Sequence, residues 1–127
     1  MDRKIKFRAL AEHNNGEKEW FYYTIKTRKI LVDMYVNGKI KRWIVEDLQY
    51  TGLWDKEGQE IFESDIVKYG ECIGVIEFKF GKWLIVNKKD GLKNNSLFEW
   101  IVDTKNQIEV IGNIYEPEGK KHKAVIK

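Results

Sequence analysis

Apolar and polar residues alternate with a period of two along most of this chain, and that alternation constrains its fold more than any other feature. In "KIKFRA", Ile5, Phe7 and Ala9 alternate with Lys4, Lys6 and Arg8, as in a strand with one wet face. "WFYYTI" (20–25) and "KILVDMYV" (29–36) are β-rich by propensity, with a short helix as the alternative for the second. Asn37-Gly38 tolerates positive φ at both residues. As a hairpin turn it would join "LVDMYV" to "KIKRWIV" (39–45) as antiparallel neighbours. "EHNNGEKE" (12–19) is a polar loop.

"VIEFKF" (75–80) and "WLIVN" (83–87) flank Gly81-Lys82, which predicts a type II′ hairpin with glycine first. "KKDGLKNNS" (88–96) is a loop with an Asp-Gly turn. "LFEWIVD" (97–103) reads as a strand by composition, or as a helix with Ser96 as N-cap and Glu99 at its third position. "IEVIGNIYE" (108–116) is a last strand, with Gly112 at a bulge or close approach, and Pro117 stops it. Short strands about ten residues apart predict a mainly β domain, a small barrel or sandwich. The long amphipathic helices of a doubly wound α/β fold are missing.

A chain of 127 residues makes about one domain and can bury a core without metal or disulfide. Cys72 is its only cysteine, so no intrachain disulfide forms, and it is expected to pack as a small hydrophobe. No apolar run reaches the roughly 18 residues of a membrane span, and "MDRKIKFRAL" lacks a signal-peptide core. A cytoplasmic location is the expectation. The net charge of +3 is carried by the basic tail at 118–127. Inside the rest, residues 26–42 sum to +5 and residues 46–65 to −6, two segments of opposite sign.

The acidic segment contains the most ordered text, "LQYTGLWDKEGQEIFESDIVKYG" (48–70). Asp55-Lys56-Glu57-Gly58 fits a type I turn, aspartate first and glycine last. Gly52 marks a bend that a side chain would obstruct. Asp65 stands at a strand entrance, where its carboxylate can accept backbone N–H groups and fix a corner, with Ile66 or Val67 facing inward.

Together with "IKFRA" and the later "EVIGNIYE", this stretch resembles the YopX-like family of phage and prophage proteins. "QYTGL", a D-K-x-G-x-E-I turn and an acid-x-D-I-V corner occur in the family's order. Tyr50, Gly52, Asp55, Gly58, Asp65 and Gly112 are its structural signature here. The likeness is good over 5–9, 48–69 and 108–116 and poor over 12–45 and 88–104. Ser64 stands where the family has glycine, which argues against a strict positive-φ requirement before the corner aspartate. The resemblance implies an SH3-like small barrel over 48–117 after a smaller β-rich or α+β subdomain over 1–47, a bacterial host cell, self-association, and no catalytic activity or cofactor.

Chemistry outside the resemblance is sparse. Glu60, Glu63 and Asp65 suit a hard cation by type, but 60 and 63 differ in strand parity, so turn capping and a solvated face explain them better. His13 in "EHNNGE" and His122 in "KKHK" lack a second histidine or zinc-ligand pairs, and His13 is expected to be solvated. Cys72, Ser64 and Ser96 have no paired histidine in the sequence pattern. Two non-catalytic readings remain. In one, the opposite-sign segments and five tryptophans serve a homo-oligomer or a protein partner of phage or host. In the alternative, a small barrel binds single-stranded nucleic acid. Its candidates are Lys39, Lys41, Arg42 and Trp43 with Trp20, Tyr22 and Tyr23, residues 39, 41 and 43 sharing one strand face. The active surface is expected within 12–45.

Overall fold

The computed structural model describes residues 5–87 and 94–116, and these form nine strands and two helices. The fold is mainly β, built on two antiparallel sheets. The chain divides into two compact units, Met1–Tyr50 and Thr51–Lys127.

In the first unit, β1 (Lys6–Glu12) and β2 (Lys18–Thr24) form a hairpin in continuous register from Lys6↔Thr24 to Glu12↔Lys18. The strands therefore claim both ends of the polar 12–19 segment. Helix α1 (Arg28–Val36) follows, and β3 (Arg42–Trp54) begins beside β1 before running into the second unit. Ala9, Tyr23 and Leu31 centre the core, with Phe7, Phe21 and Trp43 packed against them. The wet face assigned to Arg8 is not wet. Arg8 is 3% exposed, its guanidinium 4.0 Å from the Trp20 ring centroid, a cation–π contact that makes its burial tolerable.

Residues 29–36 take the helical alternative and not the strand, and Asn37-Gly38 is not a hairpin. Asn37 is the C-cap, and Gly38 at φ 76° follows it. Gly38 N–H donates to the Tyr35 carbonyl and Lys39 N–H to the Met34 carbonyl, the paired bonds of a Schellman motif. A helix C-terminus and a primed turn make the same demand, a residue at ease with positive φ, so the dipeptide alone does not distinguish them. The helix also dissolves the strand face proposed for residues 39, 41 and 43. Lys39 and Lys41 precede β3, and Ile40 between them is buried.

The second unit holds β4 (Glu60–Phe62), β5 (Asp65–Tyr69), β6 (Cys72–Lys79), β7 (Lys82–Val86), β8 (Asn94–Ser96), α2 (Leu97–Asp103) and β9 (Glu109–Asn113). The first sheet runs β2-β1-β3-β4 and the second β8-β7-β6-β5-β9. The second sheet is open: among the described residues no pairing joins β8 to β9, so the expected barrel is not closed by hydrogen bonds. Ile61, Val67, Ile76, Ile85, Leu97, Ile108 and Val110 form the core of the second unit, so Val67 and not Ile66 turns inward. Cys72 is exposed rather than packed.

The β6–β7 hairpin exists one residue out of the expected register. Lys79 pairs with Lys82, so the turn residues are Phe80 and Gly81, at φ 55° and 78°. Two positive values make it type I′ rather than II′. Of the two readings of 97–103 the helix, α2, is the one that forms, Ser96 Oγ accepting from Glu99 N–H. Gly112 adjoins a bulge: Ile66 faces Gly112 while Val67 faces Val110, leaving Ile111 extra.

The two acidic corners are architectural. Asp55 is buried, and its Oδ1 accepts from Glu57 and Gln59 N–H while Oδ2 accepts from Val110 N–H at 2.9 Å. One carboxylate thus closes the turn that ends at Gly58 (φ 82°) and ties it to β9. Asp65, also buried, accepts from Phe62 N–H and from Asn113 Nδ2. Ser64 before it adopts φ 71° despite its side chain, so the left-handed requirement holds and serine meets it at a cost. Gly52 has φ 89° and no atom within 4 Å of an ideal Cβ, so conformation and not obstruction selects glycine there. The loop turn at 90–91 and the basic tail at 118–127 lie outside the described residues.

Candidate interaction surface

The candidate surface lies in the first unit, where α1 packs over the start of β3. Its floor is set by a bulge. Arg8 pairs with Leu48 and Leu10 with Val45, so Glu46 and Asp47 together oppose Ala9 alone. Asp47 takes φ 60° there. The bulge aims both carboxylates at the first residue of α1. Arg28 Nε donates to Asp47 Oδ1 at 3.1 Å, and its NH2 group donates to Asp47 Oδ2 and to Glu46 Oε1.

Tyr23 completes the bracket. Its hydroxyl donates to Asp47 Oδ1 and accepts from Asp47 N–H at 2.7 Å, so one phenol satisfies both ends of the strained residue. Burial, and then the hydrogen bond to a carboxylate, push the Tyr23 hydroxyl far above its ordinary value. For Asp47, burial alone would raise the pKa, but the donors Arg28 and Tyr23 outweigh it and hold the carboxyl below its usual range. Arg42 Nε donates to Glu12 at 2.6 Å, and that hydrogen bond lowers the Glu12 pKa.

Above this bracket lies a cleft of about 470 Å³ lined by Arg28, Leu31, Val32, Tyr35, Arg42, Trp43 and Glu46. It joins apolar walls to a rim of both charges. Beside it, α1 presents Ile30, Val32, Tyr35 and Val36 to solvent, with Val36 73% exposed.

The seven sequence candidates do not converge. Trp20 and Tyr22 share one face of β2, together with Arg8: the arginine covers the Trp20 ring, and its NH1 donates to Tyr22 Oη at 3.3 Å. Tyr23 and Trp43 belong to the opposite, core side, Trp43 meeting Phe21 edge-on at 5.8 Å. Lys39 and Lys41 are exposed beyond the helix, Lys39 on a shallow cleft with His13 and Glu17. His13 itself is hydrogen-bonded to Glu19 at 2.8 Å and its ring lies near Phe21, so it is not simply solvated. Sequence reasoning missed this exposed patch, because only a helix brings Tyr35 to the side of Val32 and Val36, whereas in a strand it points the other way. No cluster of three or more metal-ligating side chains occurs among the described residues. No helix among them is long and apolar enough to cross a membrane. A family model described as YopX protein matches residues 5–118. No curated protein matches the chain.

Proposed function

The chain belongs to the YopX protein family, and on that premise we propose that it is a non-enzymatic interaction and assembly module that associates with copies of itself. The observation carrying this reading is the outer face of α1. Leu31 is the helix's one buried residue, while Ile30, Val32, Tyr35 and Val36 lie in solvent. A surface helix ordinarily turns its apolar side to the core and its polar side outward. Here the apolar side chains are left for a second copy to cover. The segments of opposite charge, +5 over 26–42 and −6 over 46–65, supply complementary signs around such a contact. Part of that charge is spent inside the first unit, where Arg28 meets Glu46 and Asp47, so the apolar face is the stronger argument.

We read the second unit as an SH3-like small barrel. Support comes from the order β9-β5-β6-β7-β8, in which the last strand returns beside the first after a short helix. A small barrel carried on the same chain as an adhesive helix suits assembly with phage or host proteins in the bacterial cytoplasm.

Light scattering across the micromolar range tests the reading. The chain is expected to elute above the mass of one copy, and Val36→Lys, at an exposed position that folding does not use, is expected to return it to a monomer. A wild-type chain that is monomeric throughout the range overturns the assignment.

A further inference from the structure

The β6–β7 hairpin carries a sequence that its fold does not require. From 78 to 83 it reads Phe-Lys-Phe-Gly-Lys-Trp, so every residue except the turn glycine is aromatic or cationic. Phe80 holds the first turn position at φ 55°, which Asn, Asp or Gly would occupy at less cost. Its ring is 85% exposed and gives nothing back to the core. In the closing pair Lys79 faces Lys82, like charges in direct opposition. Lys79 leans on Glu77 at 3.1 Å, an exposed ion pair that a competing anion displaces easily. Behind the tip, Phe78 meets Trp83 edge-on at 4.9 Å, which fixes a second, half-exposed ring at its base.

A strained exposed aromatic and an opposed lysine pair both work against the turn, and both suit one ligand chemistry: flat π surfaces linked by negative charge. We propose that the tip of the β6–β7 hairpin binds single-stranded nucleic acid, a base stacking on Phe80 and the backbone phosphates meeting Lys79 and Lys82. One fully exposed ring is too little apolar area to hold a bilayer surface, whereas one ring is the unit of base stacking. The site is separate from the face of α1 and does not depend on self-association.

Fluorescence anisotropy of the full chain with a labelled oligothymidylate, at several salt concentrations, tests this. Binding is expected at low salt and should weaken as salt rises. Replacing both Lys79 and Lys82 by Gln should reduce the slope of log affinity against log salt by about 0.7 per lysine. Phe80→Asn suits the turn, so it should raise the thermal midpoint while weakening binding about tenfold, and Phe80→Trp should keep the binding. A flat wild-type titration overturns the proposal. So does Phe80→Asn binding as the wild type does, or a preference for anionic phospholipid vesicles over the oligonucleotide.

Discussion

Tyr23, Asp47 and Arg28 show how a local cost is met by distant partners. Asp47 sits in left-handed backbone at a bulge, and its N–H and carboxylate are both satisfied by side chains from β2 and α1. Its carboxyl titrates below the ordinary aspartate value of about 3.9, so the folded state binds fewer protons than the unfolded one near that pH. The stability it contributes is therefore present above about pH 4 and lost as pH falls through the depressed folded value. Asp47→Asn should lower the thermal midpoint at neutral pH and flatten the acid limb of the unfolding curve below about pH 4, followed by tryptophan fluorescence. Glu12, lowered by Arg42, titrates in the same window with the same sign, so Glu12→Gln is the companion variant. None of this was legible in the sequence, because Tyr23 and Asp47 lie 24 positions apart and only the registers of β1 with β2 and with β3 bring them together. Asp55 was legible because its first two bonds are made within four residues, although its third, to Val110, was not.

At the scale of elements, the errors came where one residue pattern serves two backbones. Gly38 fits a helix cap or a hairpin, and its φ of 76° is right for either. Phe80 is the opposite case. Turn grammar steers away from a phenylalanine at positive φ, so it moved the expected turn one residue along to Gly81-Lys82. Residues 97–103 stayed open between strand and helix, because their composition suits a strand while the local Ser96–Glu99 capping pattern suits the helix that forms. Gly74 carried no local signal at all. It sits in β6, and a Cβ there would meet Ile85 Cγ2 at 2.4 Å and the Val86 carbonyl oxygen at 3.1 Å. Ile85 is buried and cannot swing away, so β6 needs glycine for the close approach of β7. Gly74→Ala should destabilise the fold by about 1–3 kcal/mol, read as a lower denaturant midpoint at unchanged slope. A midpoint equal to wild type would mean the two strands separate more readily than their packing implies.

At the scale of the molecule, the two units differ in what they bury. The first relies on Ala9, Leu10, Ala11, Tyr23, Leu31, Ile40 and Leu48, two of them alanines that withdraw little apolar area from water. Its one helix turns most of its apolar side chains outward. The second buries Ile61, Phe62, Val67, Ile76, Leu84, Ile85, Val86, Leu97, Ile108 and Val110, nearly all large aliphatics. It also ties a turn and a corner to β9 through the carboxylates of Asp55 and Asp65. Opening free energy follows buried apolar contact and the protection of backbone hydrogen bonds. Native-state hydrogen exchange should therefore show amides of α1 exchanging first, those of β1 and β2 next, and those of β5, β6 and β7 last. Self-association through α1 would reverse part of that order. The protection of α1 should rise with protein concentration, while that of β6, deep in the second core, should not move. Protection in α1 that is independent of concentration would leave the exposed face of the helix without the partner copy assigned to it.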